Sequence, residues 1–93
     1  MKEATIVKAI LKYLKALPGC FCWKEHGGMY GTAGIPDIIA CIDGRFYGFE
    51  VKAETGKPTK LQEAMIRKIN AAGGTALVVR TVDEVRAVVE AKE

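Results

Sequence analysis

The dipeptide Asp43-Gly44 lies between two apolar, strand-like runs, "PDIIACI" at 36–42 and "RFYGFEVKA" at 45–53. Asp-Gly in this setting signals a two-residue hairpin turn, because both central residues of the favoured type I′ turn need positive φ. A turn of that kind fixes register. Ile42 then faces Arg45, and each step back along one strand matches a step forward along the other. Carried to the far end, the count sets Asp37 directly opposite Glu50, on one face, with Cβ atoms about 4.5–5.5 Å apart. Lys52 shares that face one pleat further along.

The rest of the chain reads as elements able to cover such a hairpin. Residues 3–17 place Ile6, Val7, Ile10, Leu11, Leu14 and Leu17 on one stripe and Lys8, Lys12 and Lys15 on the other side, the pattern of an amphipathic helix ended by Pro18-Gly19. Residues 20–26 form a short strand, and 27–34, with four glycines, a loop. A second helix spans 59–72, opened by Thr59 and Gln62 as a capping box and closed by Gly73-Gly74. Residues 75–79 are a buried strand. A last helix follows, with Thr81 and Glu84 as a second capping box and Val82, Val85, Val88 and Val89 turned inward. The order αβββαβα implies an antiparallel meander, a helical crossover to a fourth strand, and a mixed sheet flanked by helices. Ninety-three residues suit one domain, 1–93, and the apolar share of 49% is high enough to suggest self-association.

Two acids held abreast destabilise a sheet unless something neutralises them. A bound cation does so, and carboxylates, a backbone carbonyl and water are the ligands a hard divalent ion such as Mg2+ prefers. Lys52 beside the ion would orient an attacking water or offset charge on a phosphate. The plainer alternative is a Glu50–Lys52 ion pair on an exposed strand, with Asp37 capping the loop. Glu3 sits on the apolar stripe of the first helix, from where it either completes a cluster of three acids or simply favours the helix dipole from the first turn.

"GIPD" at 34–37, "EVK" at 50–52 and "TGKPTKLQ" at 55–62 resemble the PD-(D/E)XK nuclease superfamily and, more closely, its VRR-NUC family. That resemblance implies an α/β fold with a restriction-endonuclease-like αβββαβ core, here with an extra C-terminal helix. It implies Mg2+ or Mn2+ held by Asp37, Glu50 and the carbonyl of Val51, with Lys52 assisting the attacking water. Gln62 matches the family's helix glutamine, which steadies Lys52 or the water; the alternative is the capping box alone, and the two roles are compatible. Glu3 matches an early helical acid. Thr59 stands where many members have serine. The implied function is a metal-dependent DNA endonuclease, structure-selective on branched DNA such as Holliday junctions and acting as a homodimer. The alternative is a module of the same fold that binds branched DNA or a protein without cutting.

The net charge of +3 permits a polyanionic partner without demanding one. Lys57 and Lys60, at the start of the second helix, and Tyr30 and Thr32, on the glycine loop, are the candidates to grip DNA; a solvated surface is the alternative for each. Met65, Ile66 and Ile69 serve either the core or a dimer surface. Cys20, Cys22, Cys41 and His26 lack the usual C-x₂₋₄-C spacing of a zinc site. Three cysteines are too few for a disulfide-stapled secreted fold, so a reducing cytoplasm is expected; a free-standing domain this small suits a bacterial genome or a phage-encoded protein. No stretch is long and apolar enough to span a membrane.

Overall fold

The computed structural model describes residues 1–26 and 31–91. Its elements are α1 (Glu3–Lys15), β1 (Cys20–Lys24), β2 (Ile38–Ile42), β3 (Arg45–Val51), α2 (Lys60–Ala71), β4 (Thr75–Val79) and α3 (Val82–Glu90). The strands form one mixed sheet in the order β1-β2-β3-β4, antiparallel except where β4 runs parallel to β3. Asp43 and Gly44 both take positive φ, 50° and 82°, and Ile42 pairs with Arg45. The two-residue turn thus sets the β2–β3 register that the sequence implies.

Alternation along the strands gives the sheet two unlike faces. Ile38, Ala40 and Ile42 of β2 and Tyr47, Phe49 and Val51 of β3 pack with Ile6, Val7, Ile10 and Leu14 of α1 and with Val85 and Val89 of α3 in one continuous core. Phe49, Ile10 and Leu14 have no exposed surface, and burying each such side chain stabilises the fold by roughly 1.5–3 kcal/mol. The opposite face is covered only in part. There α2 lies on β4 and β3, and none of its residues is fully buried. The other half of that face, on β1 and β2, carries no helix among the described residues.

The ends of the elements follow local chemistry. Thr59 caps α2 with both halves of its box in place: the Thr59 hydroxyl accepts from the Gln62 amide at 3.1 Å, and Gln62 Oε1 accepts from the Thr59 amide at 2.8 Å. Thr59→Ala is expected to cost about 1 kcal/mol, read as a fall in Tm of about 4–8 °C for a domain of this size. The cap of α3 differs from the sequence expectation. Thr81 accepts from the Glu84 amide, but Glu84 Oε1 reaches back to the amide of Arg80, at 2.6 Å, one residue beyond the capping position. Helix α1 stops at Lys15 rather than 17, although Leu17 still packs against the core. Strand β1 stops at Lys24 rather than 26.

Candidate active site

The approach to Asp37 is fixed by close packing. Gly34 has φ 82°, and a Cβ there would stand 2.8 Å from Leu61 Cγ and 3.0 Å from Met65 Cγ on α2. Pro36 is fully buried and rests against the bare Cα side of Gly48, where a Cβ would meet Pro36 Cγ at 3.0 Å. Gly34→Ala therefore combines a left-handed backbone with a clash against a helix, and is expected to cost about 1–3 kcal/mol. A urea titration checks this; an unchanged midpoint would mean that α2 yields freely at this point.

Asp37 is then held from both sides. Its carbonyl accepts from the Glu25 amide at 2.7 Å, which carries the β1–β2 ladder one residue past Lys24. Its side-chain Oδ2 accepts from the Val51 amide at 2.8 Å. The last β2–β3 pair is Ile38 with Phe49, so the next position along sets Asp37 opposite Glu50. Both belong to the face that carries Gly48, the face under α2.

Among the described residues Glu50 is the buried charged side chain, 1% exposed. Its Oε2 pairs with Lys52 Nζ at 3.4 Å, and its Oε1 has no hydrogen-bond partner among the described residues. Burial pushes the Glu50 carboxyl up to about 7, the neighbouring Asp37 charge pushes the same way, and Lys52 opposes both. The ion pair of the plainer alternative is therefore present, but in a buried setting rather than on an exposed strand. A single ammonium does not satisfy two adjacent carboxylates, and an orphaned buried carboxylate oxygen carries a desolvation penalty. A hard cation taking Glu50 Oε1 and Asp37 as ligands would remove that penalty, so the donor set fits a divalent ion bound through oxygen.

Comparison with known proteins bears on the fold. No family model and no curated protein matches the sequence. Among solved structures, a protein described as a VRR_NUC domain superposes with TM-score 0.80 at 25% identity, covering 100% of this chain and 99% of its own. The chain has the VRR-NUC family fold. A second structure, described as a VRR_NUC domain protein, gives TM-score 0.77 at 20% identity over 97% of this chain and 86% of its own. By fold, then, this is a nuclease-type domain with a restriction-endonuclease-like core.

Within the VRR-NUC frame the other candidate residues fall into separate places. Glu3 does not join the acid pair. It leads α1, is exposed, and has a carboxylate oxygen 3.5 Å from where a Cβ on Gly56 would stand, with Lys52 Cβ 3.6 Å from the same point, so it approaches the end of β3 beside Lys52 rather than the Asp37–Glu50 pair. Among the described residues, no group of three His, Cys, Asp or Glu side chains is close enough to hold a metal ion. Gln62 spends its Oε1 on the Thr59 cap. Val51 offers its amide to Asp37, and its side chain is fully buried in the α1 core. Thr32, Lys57 and Lys60 are exposed, and Tyr30 lies outside the described residues. Cys20 and Cys22 are half-buried under α1, while Cys41 is exposed on the other face. Burial and the adjacent Cys22 push the Cys20 thiol up to about 11, which keeps it protonated and a poor ligand.

Two positioning residues were not evident beforehand. Glu25 clamps the Asp37 backbone, yet the long β1–β2 connection hides the register that brings them together. The Val51 amide fixes the Asp37 carboxylate. Its signal was available, since the register that sets Asp37 opposite Glu50 also sets it beside the Val51 amide.

Proposed function

We propose that this protein is a Mg2+- or Mn2+-dependent DNA endonuclease. The observation that carries the reading is the buried Glu50, with an unpartnered oxygen, beside Asp37 and Lys52. Asp37, Glu50 and the Val51 carbonyl would hold the ion. When bound, it supplies positive charge for the developing phosphate charge and makes a water more acidic. Lys52, 14% exposed at the edge of the buried pair, keeps its ammonium where it can orient the attacking water or meet a phosphate oxygen. In the hydrolysis, the water oxygen bonds to phosphorus, one P–O ester bond breaks, and the departing oxygen takes up a proton.

The finer reading is a structure-selective enzyme for branched DNA such as Holliday junctions, acting as a homodimer in a bacterial cytoplasm. Lys57 and Lys60, exposed before and at the start of α2, suit contact with DNA phosphates. A groove lined by Ile35, Phe46, Met65 and Ile69 beside α2 suits the second copy, and two sites related by a two-fold axis suit a substrate with two equivalent strands. Among the described residues no helix is long and apolar enough to cross a membrane.

The test incubates the protein with labelled four-way, flap and linear DNA in Mg2+, Mn2+ or EDTA. Cleavage in either metal, lost in EDTA and strongest on the four-way junction, is expected. Binding without cleavage in any metal would replace the enzyme with a binding module. Melting should also rise by several degrees in millimolar Mg2+, because an ion that binds only the folded state stabilises it.

A further inference from the structure

Phe21 and Trp23 lie on the half of the sheet face that α2 leaves uncovered. Phe21 is 70% exposed and Trp23 42% exposed, on an edge strand where polar residues would cost nothing. Their rings stand 5.7 Å apart, tilted by 51°. Trp23 is oriented by its indole N–H, which donates to Glu25 Oε1 at 3.2 Å. Glu25 is also the residue whose amide holds the Asp37 carbonyl. One short segment therefore aims both an aromatic face and a reactive carboxylate.

The register puts these rings beside the chemistry. Trp23 pairs with Ile39 and Ile39 with Gly48, the row next to Asp37 and Glu50 on the same face. Two residues along and one strand across is about 8 Å from Asp37, close to the spacing of successive nucleotides along a strand.

Resting on the nuclease reading, we infer that Trp23, with Phe21 behind it, is a stacking platform for an unpaired nucleobase next to the scissile phosphate. The substrate class is DNA with single-stranded or splayed bases at the cut, as a branch point supplies. Every base offers a π-face to an exposed aromatic, so such a platform binds without reading sequence. The chain carries +3 overall and Lys68 stands at the neighbouring groove with Phe46, which offsets the Glu25 carboxylate that orients the indole. A second copy of the chain fits this patch less well. The two rings leave roughly 200 Å² open, against the ~800 Å² per partner of a stable interface.

Trp23 is the sole tryptophan, so its emission reports on this surface alone. The test titrates the full chain in EDTA with oligothymidylate and with a blunt duplex of equal length, following Trp23 emission and, separately, the anisotropy of labelled DNA. Oligothymidylate is expected to quench Trp23 and the duplex to leave it nearly unchanged. Trp23→Ala should weaken oligothymidylate binding about tenfold and duplex binding less than twofold, Trp23→Phe should restore most of the loss, and sedimentation should give both variants the wild-type mass. Unchanged emission at saturating oligothymidylate would overturn the inference. So would equal weakening for both DNAs, or a mass change showing that a second copy covers the face. Failure to cut any DNA in Mg2+ or Mn2+, with the quench intact, would sink the nuclease reading and leave the stacking surface standing. Cleavage with a silent Trp23 would sink the stacking alone.

Discussion

Glu50→Gln is expected to lower DNA cleavage in Mg2+ at least a thousandfold while leaving the fold as stable as before, or more so at pH 8. The substitution keeps the shape of a side chain that is 1% exposed and removes its charge. Above pH 7 the variant is spared the cost of ionising a buried carboxyl, and Lys52, left without its partner, is 14% exposed and can turn its ammonium to water. Transition-state charge stabilisation lost with a metal ligand is worth several kcal/mol, and each 1.36 kcal/mol is about tenfold in rate. The paired measurement is a Tm with and without Mg2+: wild type should gain stability from the metal and Glu50→Gln should not. A variant that still cuts within tenfold of wild type would remove Glu50 from the chemistry.

The structure also decides which substitutions test the other two residues fairly. Asp37→Ala deletes the acceptor of the Val51 amide and leaves a backbone donor unpaired, a cost of about 1–3 kcal/mol that mixes folding with function. Asp37→Asn keeps an acceptor oxygen in place and loses the charge, so it should fold like wild type and fail to cut. Lys52→Ala strips Glu50 of its counter-charge, which makes it a destabilising change above pH 7. Lys52→Met in the Glu50→Gln background avoids that and isolates the ammonium.

Why the site was legible, and where it was not, comes down to which contacts are local. The Asp43-Gly44 turn sets the register of the strands on either side, so the opposition of Asp37 and Glu50 followed from counting. Thr59 with Gln62, and the valine stripe of the last helix, are equally local, and both appear in the structure. Glu3 depended on where α1 sits relative to the sheet, which no short-range pattern encodes. The stripe of Ile6, Val7 and Ile10 packs against the face of Phe49 and Val51, and alternation puts Glu50 on the other one. Glu25 was hidden for a similar reason: thirteen residues separate β1 from β2, and only the folded ladder pairs it with Asp37. The exposure of Phe21 and Trp23 was invisible too, because how much of the sheet α2 covers is set by tertiary packing and not by the sequence of the strand itself.

Stability without metal is expected to fall as pH rises from 5 to 8, the reverse of a domain whose carboxylates are all well paired. Glu50 carries its proton up to about 7 in the folded chain, against an ordinary value of 4.5. Between those values the folded state binds the proton and the unfolded chain has released it, so unfolding gives up a proton and stability decreases with pH. The contribution is complete below about pH 4.5 and gone above about pH 7, on the order of 3 kcal/mol across the window. In Tm this is about 10 °C or more for a domain of this length. Because other groups titrate as well, the decisive quantity is the difference between wild type and Glu50→Gln in EDTA. The variant has no carboxyl to titrate there, so its profile should stay flatter than that of wild type. Millimolar Mg2+ should reverse the trend for wild type, since a cation favours the ionised carboxylate that burial opposes, and its affinity should climb as pH passes 7. Parallel profiles for the two proteins would show that the Glu50 carboxyl ionises normally despite its burial. The tension between Asp37 and Glu50, on which the metal site rests, would then be absent.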